Sequence, residues 1–237
     1  QRANQILRAG MGAAAIQVDV SDSQPRQVIE GLGANLTDSA ASLIYQSAQS
    51  SNIINQIFST ESGIGLQHLR VPLSGMGEFV ARAPRSYNDM SAGLTDPELT
   101  QFSIEDDEDY LIPLILDIQN VQTDIGLHAI SWSAPAWMKD NESFAGGSLR
   151  IEFYQSYANY WLAFMQAYQN RGIEFNSLSI QNQPHLADDF PSMPWASDDY
   201  LLFFRDFWYP TIGQFSPNPE IWMWDGNWTD FDSMDNA

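Results

Sequence analysis

The sequence predicts an α/β chain of the (β/α)8 (TIM) barrel type, and three observations carry that prediction. Segments of strand and helix character alternate along its 237 residues. Strand starts recur about every 40 to 60 residues, so successive strands pair in parallel through crossover helices. The polar and aromatic residues that stand out fall just after strand C-termini, the face on which such a barrel builds its site. No Gly-x-Gly-x-x-Gly loop follows the first strand, which removes the main doubly wound alternative.

Each element has its own signal. In the leading segment, residues 1–26, Ala13 to Val20 alternates like a strand. It is expected to join an attached β-sandwich-type side domain, while residues 27–237 supply the first five βα units of the barrel. Gln27–Gly33 has the pattern of a short first strand, and a small-residue helix opens within Leu36–Ala48. Gly65–Leu73 is the second strand. A helix starts near Ser103, where Asp106 completes a capping box, and Ile104, Leu111, Ile115 and Ile118 recur at helical spacing. The acidic run at 105–110 is expected to be its solvated first turn, favoured by the helix dipole.

Gly126–Ser133 is the third strand. The strongest helix spans Ile151–Asn170, with Phe153, Tyr157, Tyr160, Trp161, Phe164 and Tyr168 on one face and Gly172 as its stop. Such an aromatic stripe packs against a sheet. Phe175–Asn182 is the fourth strand, Leu201–Phe207 lies in a further helix, and Glu220–Gly226 is the fifth strand. Five units fall short of eight, so the remaining strands are expected beyond Ala237.

Composition narrows the partners. A formal net charge of −20 opposes nucleic acid and anionic membranes. No apolar run approaches the ~18 residues of a membrane span. Lys139 is the only lysine, and an acidic, lysine-poor chain suits an acidic, saline or extracellular setting, of which a secreted, extracellular one is expected. With no cysteine there is neither a disulfide nor thiolate chemistry.

The residues with chemical potential cluster by position. Asn35 and Asp38 follow the first strand, Arg70 closes the second, and Trp132 and Trp137 follow the third. Asn182, Gln183 and His185 follow the fourth, and Asp225 and Asn227 the fifth. Tryptophan faces at such a rim suit the C–H faces of sugar rings, and Trp195, Trp222, Trp224 and Trp228 add to the pattern. Arg70 is placed either to hold a carboxylate bidentately or to make an ion pair inside the barrel. His68, His128 and His185 lack metal-site spacing, so no metal and no cofactor is expected. Asn182-Gln183-Pro184 is the anomaly: after Asn at such a strand end a Glu would be a catalytic acid, and here an amide stands in its place.

In order along the chain, "GLGANLTDSAASLI", "LRVPL", "SWSAPAWMK", "GGSL", "SIQNQP", "FPSM" and "IWMWDGNW" resemble the motifs of glycoside hydrolase family 30, a likeness running from about Val28 to Trp228. The resemblance implies a retaining glycosidase on a (β/α)8 barrel with a β side domain. Gln183 then occupies the acid/base position, and the nucleophile belongs to a seventh strand expected beyond residue 237. Asn182 would bond the sugar 2-hydroxyl, Trp132 line the subsite of the cleaved sugar, and Arg70 support the carboxylates. Glu78 stands where the family commonly has an Asp that grips distal hydroxyls. Asp38, Trp137, His185, Asp225 and Asn227 complete the expected substrate-binding set. The implied substrate is a β-glucoside, β-1,6-glucan first, with the site inactivated at Gln183 by an exchange of Glu for Gln. The alternatives are a glucosylceramidase and a non-catalytic carbohydrate-binding protein.

Overall fold

The computed structural model describes residues 28–74 and 83–226. Five strands form one sheet in the order β1-β2-β3-β4-β5, every neighbouring pair parallel. They are β1 Gly33–Asn35, β2 His68–Ser74, β3 Gly126–Ser131, β4 Ser177–Ser179 and β5 Glu220–Ile221. A doubly wound sheet reverses its strand order at a switch point, and this one does not. Sequential order with crossover helices is the wall of a barrel.

The alternation within β2 shows how the wall is built. Leu69 and Val71 are buried, as are Leu127 and Ala129 of β3 and Leu178 of β4. Between them, Asn35, Arg70, His128 and Ser177 share one line of register across four strands. Because successive strand side chains point to opposite faces, the apolar set sits under the helices and the polar set shares the other face.

The helices are α1 Asp38–Gln46, α2 Ser50–Phe58, α3 Leu111–Val121, α4 Tyr154–Gln169, α5 Ser197–Phe203 and α6 Tyr209–Ile212, with a π-helical turn Phe204–Trp208 joining the last two. Thr37 caps α1 by accepting from the Ala40 N–H. Leu114, Ile115 and Ile118 of α3 are fully buried, as are Tyr157, Tyr160, Trp161, Phe164 and Tyr168 of α4. The aromatic stripe is therefore core. Gly172 takes φ +80°, which lets the Ile173 N–H turn back to the Tyr168 carbonyl and end the helix.

Several boundaries differ from expectation. The first strand begins only at Gly33, where an added Cβ would lie 2.6 Å from the His68 carbonyl oxygen; Val28, Ile29 and Leu32 before it are exposed. One helix was expected after β1 and two form, because the Ser47 hydroxyl accepts from the Gln49 N–H and the chain turns at Ser47. The Ser103–Asp106 capping box is not made: the Ser103 N–H is spent on the Tyr87 carbonyl, and α3 proper starts at Leu111. The fifth strand is shorter than expected, ending at Ile221.

The acidic run at 105–110 is a further correction. Asp107 is fully buried, and it holds Arg85 (2.8 Å), Tyr87 (2.6 Å) and Tyr168 (2.6 Å). A 3₁₀ turn, Glu105–Asp109, directs that one carboxylate inward while its neighbours stay at the surface. The main unit is Gly31–Ala237 and a short leading unit is Gln1–Glu30. The strand expected at 13–20, with its β side domain, lies outside the described residues, as do Glu78, Asn227 and Trp228.

Candidate active site

Three strand ends converge on Arg70. From β2 its guanidinium donates to the Asn182 Oδ1 at 2.6 Å, the Asp225 Oδ2 at 2.5 Å and the Asn35 Oδ1 at 3.3 Å. The contacts reach the end of β1 and the segments that follow β4 and β5, so one side chain ties the rim of the sheet together. Arg70 and Asp225 keep 25% and 30% of their side chains exposed, so water screens the pair.

Asn182 is fixed twice. Its backbone N–H donates to the Ser131 carbonyl at 2.7 Å, and Arg70 occupies its side-chain oxygen. Its amide NH₂ donates to the Gln183 Oε1 across a long 3.5 Å contact. Gln183 is half-buried and adopts φ +45°, a left-handed backbone that non-glycine residues seldom take. The following turn holds it there: Leu186 N–H donates to the Gln183 carbonyl, and Trp195 N–H to the Pro184 carbonyl.

Trp132 lies at the edge of this cluster. The Gln181 side chain donates to its carbonyl at 2.8 Å, and its ring sits 6.0 Å from Phe190. Its indole N–H is buried without an acceptor among the described residues. His185 is exposed and stacks on Trp224 at 5.6 Å and 15°, joining the loops after β4 and β5. His128, register partner of Arg70, contacts the Ser177 hydroxyl at 2.8 Å and stacks on Trp222. Burial first, and Arg70 second, lower its pKa to about 4, so the ring is neutral near pH 7.

Two expected rim residues lie elsewhere. Trp137 is core: its indole N–H donates to Asn88, and its ring meets Phe153 edge to face. Asp38 is 1% exposed, and its Oδ1 accepts from Arg85 and from the Tyr110 hydroxyl. Of the other tryptophans, Trp195 packs on Phe203.

The sequence reading missed Gln181, Lys139 and Arg85. Gln181 sits two residues before Gln183, so strand alternation was the signal for it. Lys139 was visible only as the lone lysine. Its ammonium is fully buried and donates to the Ser133 hydroxyl (2.8 Å), the Ser192 carbonyl (2.9 Å) and the Phe144 carbonyl (3.1 Å). Burial pushes its pKa down to about 7, and Asp140 opposes that. Among the described residues, no group of three or more His, Asp or Glu is arranged to hold a metal. No described helix is long and apolar enough to cross a membrane.

Amides, an arginine, a carboxylate and tryptophans thus gather at the C-terminal ends of a parallel barrel wall, the face on which (β/α)8 proteins build their sites. The chain belongs to glycoside hydrolase family 30: the Glycosyl hydrolase family 30 TIM-barrel domain matches residues 29–211. It is 26% identical to the endo-1,6-beta-D-glucanase of Neurospora crassa, over 90% of this chain and 45% of that one. To the lysosomal acid glucosylceramidase of Mus musculus it is 29% identical, over 75% of this chain and 35% of that one. Among solved structures, SrfJ from Salmonella typhimurium superposes with a TM-score of 0.78 at 25% identity, covering 89% of this chain and 47% of that one. The chain thus spans less than half the length of the relatives it matches.

Proposed function

We propose that these residues form the acid/base and substrate-binding half of a retaining glycosidase acting on β-glucosidic linkages, with β-1,6-glucan as the substrate class. One observation carries the reading: Arg70 joins Asn182 to Asp225, and the Asn182 NH₂ lies beside Gln183 with only a long 3.5 Å contact to its Oε1. That geometry suits a donor to a sugar hydroxyl next to the bond to be cleaved.

A retaining site needs two carboxyls about 5–5.5 Å apart, one attacking C1 and one protonating the leaving oxygen. Gln183 stands at the second position. Its amide donates a hydrogen bond but transfers no proton, which costs about 10²- to 10⁴-fold in rate. The left-handed backbone at Gln183, held by the turn behind it, supports a fixed position for this residue at the strand end. The partner carboxylate is expected on a later strand. Both an endo-1,6-glucanase and a glucosylceramidase are among the relatives. The net charge of −20 opposes an anionic lipid surface and supports a soluble glucan and an extracellular setting.

The test is Gln183→Glu in the full-length protein. Hydrolysis of β-1,6-glucan should rise by at least about 10²-fold. An aryl β-glucoside with an activated leaving group, which needs little protonation, should react in both forms, and azide should speed turnover only in the Gln form. Equal, negligible rates for both forms on every substrate would leave a second reading, a carbohydrate-binding protein. The amide at position 183 is the observation that favours it.

A further inference from the structure

We propose that Gln181 is a positioning residue for position 183: its buried amide fixes the peptide bond leading into Gln183 and ties it to the segment after β3. The inference rests on the glycosidase reading above and adds to it a residue that acts through its neighbours.

The backbone at position 183 needs such a hold. Gln183 takes φ +45°. It also precedes Pro184, and a residue before proline ordinarily prefers φ near about −120°. A conformation so disfavoured persists only where surrounding contacts over-determine it. Two contacts do so here. The Gln181 Nε2 donates to the Asn182 carbonyl at 3.0 Å, which fixes the peptide plane entering Gln183. The Leu186 N–H donates to the Gln183 carbonyl at 2.9 Å, which fixes the plane leaving it. With both planes held, the direction in which the Cα–Cβ bond of residue 183 leaves the chain is set.

The same amide anchors this turn to the neighbouring strand. Pairing between β3 and β4 ends at Ile130 and Ser179. Beyond it the Asn182 N–H reaches the Ser131 carbonyl at 2.7 Å, and the Gln181 Nε2 reaches the Trp132 carbonyl at 2.8 Å. A side chain thus supplies a rung past the end of the backbone ladder. Alternation carried on from β4 puts Gln181 on the face of Ser177 and Ser179, opposite Leu178 and Ile180. There it is 1% exposed, so its two hydrogen bonds are enclosed.

The chemistry of the two partners selects the residue type. Both are carbonyl oxygens, which only accept, so the NH₂ of the amide must face them. A carboxylate of the same shape has no hydrogen to offer, and an aliphatic side chain has no polar group. Misplacement of position 183 matters most where the leaving oxygen needs a proton. Loss of Gln181 should therefore fall selectively on poor leaving groups.

The experiment compares kcat/KM for β-1,6-glucan and for an aryl β-glucoside with an activated leaving group, in the full-length protein carrying Gln183→Glu. Adding Gln181→Leu should lower the ratio of the two values at least about tenfold, a part of the 10²- to 10⁴-fold that proton transfer supplies. General loosening of the fold lowers both rates alike, so an unchanged ratio would overturn the positioning role. Should Gln181→Leu fail to fold, Gln181→Glu carries the test. Its neutral acid donates one of the two hydrogen bonds and its carboxylate donates neither, so the ratio should drop as pH rises and the introduced acid ionises. A ratio that follows the parent at every pH would count against the proposal. If Gln183→Glu alone is inactive on every substrate, the glycosidase reading fails, and a crystal structure of either position-181 variant decides the positioning role. Gln183 leaving the left-handed region, or the Trp132 and Asn182 segments parting by more than about 1 Å, would support it. An unmoved backbone at both would sink it.

Discussion

Arg70 and Arg85 are each set between oxygen partners on separate segments, yet they do different work. Arg85 is buried with its partners Asp38 and Asp107, whose side chains are 1% and 0% exposed. Burial opposes its charge, and Asp107 and Asp38 more than restore it, so its pKa ends above the ordinary arginine value. Arg70 keeps a quarter of its side chain in water and spends its donors on a rim that stays open. The comparison teaches that burial, not partner chemistry, separates a structural ion pair from a site. A buried charge has no alternative to its protein partners, while a half-exposed one can exchange a partner for a ligand.

The difference can be broken by experiment. Arg85→Met should cost the most, about 3–5 kcal/mol in urea unfolding, because it strands two carboxylates without a cation. A loss below about 1 kcal/mol would put the Arg85 cluster in the same class as the exposed pairs. His128 comes next. Its native pKa of about 4 lies below the usual 6.5, so its contribution is complete above pH 6.5 and disappears as pH falls through 4. By that shift the contribution is about 3 kcal/mol. In His128→Asn the stability lost between pH 6.5 and 4 should shrink by about that much, and an unchanged slope would mean that His128 does not titrate as buried. Arg70→Gln should show the smallest effect on stability, about 1 kcal/mol or less. Saccharide affinity should nonetheless drop roughly tenfold as Asn182 loses its anchor. A large fall in stability with intact binding would reverse the roles of the two arginines.

Much of the barrel wall was legible because its signals are local. The strand character of Gly65–Leu73 and the helical spacing of aromatic residues in Ile151–Asn170 are both readable within one short window of sequence. The convergence of Arg70 with Asn182 and Asp225 was legible only as a list of strand ends. The pairing spans separations of 112 and 155 residues, which only the sheet order brings together. Asp38 was set on the rim by its place after a strand and Asp107 in a solvated helix turn, and one distant residue, Arg85, meets both in the interior. A carboxylate next to a helix start looks solvated until a distant arginine is known to reach it, and Arg85 gives no local sign that it will. Trp132 and Trp137 lie in one short motif, yet only the fold decides which indole finds Asn88.

Lys139 has a consequence for handling the protein. Within these 237 residues it is the only side-chain amine, and it is wholly enclosed, with three oxygens around its nitrogen. Reagents that acylate amines therefore find no side-chain target on the folded surface of this segment, and a coupling chemistry that relies on lysine will pass it by. The same amine becomes reachable when the segment around it opens. Acylation at Lys139 then acts as a chemical clock for that opening, with one reactive atom and no background from neighbouring lysines.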